Sequence, residues 1–102
     1  MDRTAALKAL LEQDPKNSFV RYGLAQAYAN SGQLDDAVHE YQQLVTVNPD
    51  YVAAYFHGGQ ALEKLGRIED AREVYERGIQ ACLRTGDGHT RSEIQGALDL
   101  LP

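Results

Sequence analysis

A shift of 34 residues lays the middle of this chain onto itself. Gly32 lands on Gly66, Gln26 on Gln60, Ala27 on Ala61, Asp36 on Asp70, Ala37 on Ala71, Tyr41 on Tyr75 and Pro15 on Pro49. Leu34 with Ile68, Asp35 with Glu69 and Val45 with Ile79 keep their character. A period this regular means that one supersecondary unit is used twice, from Ser18 to Thr85. Neither copy buries its apolar face alone, so the copies must stack.

The punctuation inside the period is helical. Asp14-Pro15 and Asn48-Pro49 are helix stops, because the residue before proline is pushed away from helical angles. Gly32 and Gly66 suit the left-handed residue that closes many helices. The expected helices run over residues 2–13, Ser18–Asn30, Leu34–Val47, Tyr51–Lys64, Ile68–Arg84 (ending at Thr85-Gly86) and from about Thr90 to Leu101. Asn17 or Ser18 is placed to cap the second helix and Asp50 the fourth. Acidic pairs, Asp35-Asp36 and Glu69-Asp70, fall in the first turns of the third and fifth, where they complement the helix dipole. Thr90-Arg91-Ser92-Glu93 fits a capping box for the sixth, with Asp87-Gly88 as linker. The expected apolar stripes are Leu7, Leu10 and Leu11; Val20, Leu24, Ala27 and Tyr28; Ala37, Tyr41, Leu44 and Val45; and Ile94, Ala97, Leu98 and Leu101. No alternating strand pattern of useful length interrupts them, so the fold class is all-α.

At 102 residues this is a single domain with a small core. The net charge of −5, with no run of basic residues, argues against a general nucleic-acid or anionic-membrane binder. No stretch approaches the roughly 20 apolar residues of a membrane span. Cys82 is the one cysteine, which precludes an intramolecular disulfide. The first residues carry charges where a signal peptide needs an unbroken apolar core, so a cytoplasmic location is expected.

These residues resemble the tetratricopeptide repeat, a helix–turn–helix unit of 34 residues. The first unit supplies Leu24, Ala25, Tyr28, Ala37, Tyr41 and Pro49 at the family's positions, with Gly32 at the turn. The second supplies Tyr55, Gly58, Gly59, Leu62, Ala71 and Tyr75, with Gly66 at the turn. Small residues at Ala25, Gly59, Ala37 and Ala71 let helix axes approach, and the tyrosines fill the wedge beside them. Three positions depart from the pattern: Arg21 stands where a large aromatic is usual, Leu83 where proline is expected, and Gly78 where alanine is usual. The resemblance implies a superhelix (α-solenoid) of about six helices in antiparallel pairs. Residues 1–16 form a half repeat, 18–51 and 52–85 two whole repeats, and 88–102 a capping helix.

Catalytic chemistry finds no support. His39, His57 and His89 show no ligand spacing, and Cys82 has no base or orienting group at a recognisable position. Gly58-Gly59 lies inside a helix and serves packing, not phosphate binding. Catalytic residues, metal ligands and cofactors are therefore expected to be none.

The resemblance implies protein–protein binding, with the first helices of each unit lining a concave groove for an extended peptide or a partner helix. The family's groove positions correspond here to Phe19, Tyr22, Gln26 and Asn30, then Phe56, Gln60 and Lys64, with His57 nearby. Positions 19, 22, 26 and 30 are spaced by three and four residues, which puts them on one helix face. The amides can bond a peptide backbone from either side. Single exposed apolars need no explanation, but three aromatics on one surface favour the groove. The clamp that chaperone-tail binders of this family use looks absent, since the matching positions carry Tyr22, Gln26 and His57 and only Lys64 is basic. A neutral or mildly basic protein segment is the expected partner. The alternative is self-association, a homodimer through an end helix near Leu11 or Leu100.

Overall fold

Six helices, and no strand, account for the described residues 2–102 of the computed structural model: α1 (Arg3–Gln13), α2 (Ser18–Asn30), α3 (Leu34–Val47), α4 (Val52–Lys64), α5 (Ile68–Thr85) and α6 (Gly88–Asp99). Met1, at the head of the expected first helix, lies outside the described residues. Successive helices pack in antiparallel order. The pairs α2–α3 and α4–α5 stack through α3 against α4, while α1 lies on α2 and α6 lies on α5 and the edge of α4. The result measures 39 × 29 × 19 Å.

The ends form where local groups satisfy free backbone amides. Asp2 accepts from the Ala5 amide at 2.8 Å, and Asn17 from the Val20 amide at 3.0 Å. Gly32 and Gly66 take φ of +79° and +78° at the inter-helix turns, where a β-carbon would be strained. The departure at Leu83 has a visible consequence. Without proline there, α5 runs past Ala81, the counterpart of the last residue of α3, and stops only at Gly86.

Two expected caps are corrected. Thr90 does not start α6. Its amide and hydroxyl both donate to Asp87, at 2.9 and 2.8 Å, and Asp87 is the cap. Because α5 ends at Gly86, the next acceptor side chain in the chain captures the new helix three residues early. Asp50 does not cap α4 either. Tyr51 precedes the helix without a side-chain cap, and Asp50 instead accepts from Arg84 Nε at 3.0 Å. Helix α6 ends at Asp99, short of the expected Leu101.

The core follows the small-and-large pattern. Ala25, Ala37, Ala71 and Gly59 are buried at helix crossings, and Tyr41 and Tyr75 are buried beside them. A β-carbon on Gly59 would fall within the ring of Tyr75. One on Gly78 would sit 2.6 Å from Tyr55 Cβ and 2.9 Å from Ile94 Cδ1, so the departure from alanine there is what α4 and α6 require. Arg21, the other departure, is served by an ion pair to Glu40 at 2.7 Å and donates to the Pro15 carbonyl at 3.1 Å. Its counterpart Tyr55 donates to the Pro49 carbonyl at 2.7 Å, so two different side chains fasten the same turn. The stripe of α1 is shallower than expected. Leu7 and Leu11 are half-buried, and Leu10 is 51% exposed whereas its counterpart Leu44 is 0% exposed. The difference is that α2 covers that side of α3, and no described helix covers that side of α1.

Candidate functional site

The groove candidates sit on α2 and α4, the first helices of the two units. Stacking the units brings rings from both into one row. Tyr22 lies 5.3 Å from the ring of Tyr51 and 5.9 Å from His57, and His57 lies 5.2 Å from Phe56. Tyr51, Tyr22, His57 and Phe56 thus run across the junction between repeats. Tyr22 and Phe56 also pack partly against the core.

A second layer holds Tyr22 in place. The Tyr41 hydroxyl donates to Gln26 Oε1 at 2.7 Å, and Gln26 Nε2 donates to the Tyr22 hydroxyl at 3.1 Å. Gln26 therefore spends one acceptor and one donor on the protein itself. The second unit is wired differently. Glu63 stands where the first unit has Ala29, and the Tyr75 hydroxyl donates to its carboxylate.

Burial sets the protonation of the row. It lowers the pKa of His57 below its ordinary 6.5, against the opposing influence of Gln60 and of Glu93 from α6. Burial raises that of Tyr22, with Tyr51 adding to the effect and the Gln26 bond opposing it. At neutral pH the row presents uncharged rings.

The remaining candidates lie outside the ring row. Phe19 is 78% exposed, and Asn30 and Lys64 are exposed. Tyr51 was missed by the sequence reading. Its one signal was an aromatic at the helix-start position where the first unit has Asn17, a place that usually favours a capping side chain.

The described residues hold no group of three or more His, Cys, Asp or Glu placed to bind a metal. Cys82 is buried, and burial raises its thiol pKa, which suits a packed apolar side chain and not a nucleophile. His39 is exposed on α3. No described helix is long and apolar enough to cross a membrane.

The profile of the tetratricopeptide repeat matches residues 3–40 and 22–82. The chain belongs to the tetratricopeptide-repeat family. A TPR repeat-containing protein of Pseudomonas aeruginosa is 27% identical over 88 residues, spanning 86% of this chain and 84% of the relative. The solution structure of a tetratricopeptide repeat domain protein from Salinibacter ruber is 36% identical, with a TM-score of 0.78, covering 83% of this chain and 86% of that one. The TPR2B domain of yeast Sti1 shares the fold at a TM-score of 0.88 and 17% identity, over 94% of this chain and 77% of that one. As a tetratricopeptide-repeat protein, the chain is a scaffold for protein–protein interaction.

Proposed function

We propose that this tetratricopeptide-repeat protein holds a segment of a partner protein, extended or helical, along α2 and α4, with Tyr22 and Phe56 as anchors. The observation that carries this reading is the row Tyr51–Tyr22–His57–Phe56, which joins the two units and is braced from behind by Gln26 and Tyr41. Braced rings lose little freedom on binding, so their contact area converts efficiently into affinity. Phe19, Gln26, Asn30, Gln60 and Lys64 surround the row and contribute hydrogen bonds and exclusion of water. The Sti1 domain of the same fold was solved as a complex with pHsp70, which supports another protein as the kind of partner such a fold takes. The net charge of −5 favours a neutral or mildly basic segment over an acidic one.

The test uses a partner recovered by pull-down from the native host. Tyr22→Ala with Phe56→Ala should lower its affinity by about 100-fold or more, the loss expected of two anchors at ~1.5–2 kcal/mol each. Both rings touch the core, so circular dichroism must show the variant folded. Phe19→Ser, at an exposed position, supplies a second reading without that complication and should weaken binding modestly. Parental affinity in the folded double variant moves the site off this face.

A further inference from the structure

The buried tyrosines of the two units start hydrogen-bond chains that end with opposite polarity. In the first unit the chain starts at Tyr41, which is 2% exposed. Its hydroxyl proton has one acceptor, Gln26 Oε1 at 2.7 Å. A buried donor without an acceptor is heavily penalised, so Gln26 must turn its oxygen toward Tyr41. Its nitrogen is then left for Tyr22, and Nε2 donates to the Tyr22 hydroxyl oxygen at 3.1 Å. Turning the amide end for end would strand the Tyr41 proton in the core. Tyr22 therefore accepts from the protein and keeps its own O–H proton unspent. None of the described residues accepts it. Tyr22 and Gln26 are half-buried on the same face of α2, where that proton meets solvent or a ligand.

In the second unit the chain starts at Tyr75, which is fully buried, and its hydroxyl donates to the Glu63 carboxylate. A carboxylate passes no proton on. It has about four lone-pair sites and Tyr75 uses one. Glu63 is half-buried on α4, and no described lysine or arginine pairs with it. Lys64, the next residue, is exposed and unpaired with it. The first unit thus ends in a free donor and the second in a free anionic acceptor.

We propose, resting on the groove put forward above, that the Tyr22 hydroxyl donates to a backbone carbonyl of the bound segment while the Glu63 carboxylate accepts from a lysine or arginine side chain of the same segment. A charged donor makes the stronger bond to a carboxylate. Tyr22 is the fifth residue of α2 and Glu63 the twelfth of α4. Seven residues of helix rise about 10 Å and neighbouring axes lie about 10 Å apart, so the two groups stand roughly 14 Å apart. About four residues of extended chain cover that span.

Three capped alanine octapeptides serve as probes. Each carries one leucine and, four residues from it, a lysine, a glutamine or a glutamate. Titration is followed by NMR on the ring signals of Tyr22 and Phe56. The lysine peptide should bind about 10-fold tighter than the glutamine peptide, and the glutamate peptide more weakly than either. Glu63→Gln still offers Tyr75 an oxygen and should bring the lysine and glutamine peptides to one affinity. Tyr22→Phe keeps the ring and should weaken the glutamine peptide about 5-fold. Gln26→Glu supplies a second acceptor that draws the Tyr22 proton inward, so it should weaken that peptide equally, and the two changes together should weaken it no further. A merely structural Gln26 would give additive losses. Equal affinity of the parent for the lysine and glutamine peptides overturns the proposal. So does unchanged affinity in folded Tyr22→Phe, or failure of all three peptides to bind. The groove itself is judged separately, by Tyr22→Ala with Phe56→Ala against the native partner: if that variant loses the partner while the peptides show no polarity, only the present assignment falls.

Discussion

His57 links α4 to α2 through one imidazole. Its ring faces Tyr22 of α2 and Phe56 of its own helix, and the charge of Glu93 on α6 acts on it from a distance. Burial disfavours the charged form, and the opposing pull of Gln60 and Glu93 does not reverse the result. The folded pKa lies below the unfolded one, so the unfolded chain binds this proton more readily. The stability that neutral His57 contributes is complete above about pH 6.5 and is lost as pH falls from there through the folded value. Melting curves between pH 7.5 and 5 should therefore slope more steeply for the parent protein than for His57→Gln. Parallel curves would mean that His57 takes no part in the acid loss. The same protonation places a cation in the aromatic row, so partner binding is expected to change over the same interval.

At the scale of helices, glycine has opposite effects at two positions. Gly59 is the point where α4 meets α5, and the ring of Tyr75 occupies the space a side chain would need. Gly59→Leu should cost ~3 kcal/mol or more, because a packed core cannot open for a branched side chain without shifting both helices. Gly96 lies on α6 with nothing within 4 Å of its would-be β-carbon. Gly96→Ala should stabilise by about 0.5–1 kcal/mol, since alanine loses less backbone freedom in a helix interior. Denaturant unfolding of the two variants measures both signs. Equal effects would show that the α4–α5 crossing relaxes more easily than its geometry implies.

For the whole molecule, each interface depends on the one beside it. Ile94 of α6 is fully buried against Gly78 of α5, and Arg72 donates to the Pro102 carbonyl at 2.7 Å, drawing the last residues over α5. Removing residues 88–102 should uncover Gly78, Ala81, Cys82 and one side of Tyr55. Loss of a buried isoleucine alone is worth about 2–5 kcal/mol, which in a domain of this size lowers the melting temperature by roughly 10 °C or more. Nearest-neighbour coupling in a stacked repeat carries the loss into α5 and α4. Truncation should thus give a lower melting temperature and aggregation in sedimentation velocity, and Ile94→Ala a smaller shift of the same sign. A truncated chain that melts as the parent does would show that α5 is stable without its outer neighbour.

The period, the helix pairs and the stops at Pro49, Gly32, Gly66 and Gly86 were readable from the chain alone. They rest on sterics and hydrogen bonds that reach no further than about four residues. The placement of Tyr22, Gln26, Phe56 and Gln60 on α2 and α4 was readable for the same reason, as a spacing of three and four along one helix face. Other features required the packed fold. Thr90 and Asp87 are both competent caps by sequence, and the choice followed from where α5 ended and how Ile94 seated on Gly78. Leu10 and Leu44 are the same residue at the same repeat position, yet only one is buried, because burial belongs to the neighbour and not to the side chain. Tyr51 and His57 entered the aromatic row only when two units crossed. The change from Leu24 to Gly58 is visible in the alignment of the units, but only the packed fold shows that Tyr41 of α3 takes the space a side chain there would need. Volume between helices is a property of three bodies at once, and no pattern along a single strand of sequence encodes it.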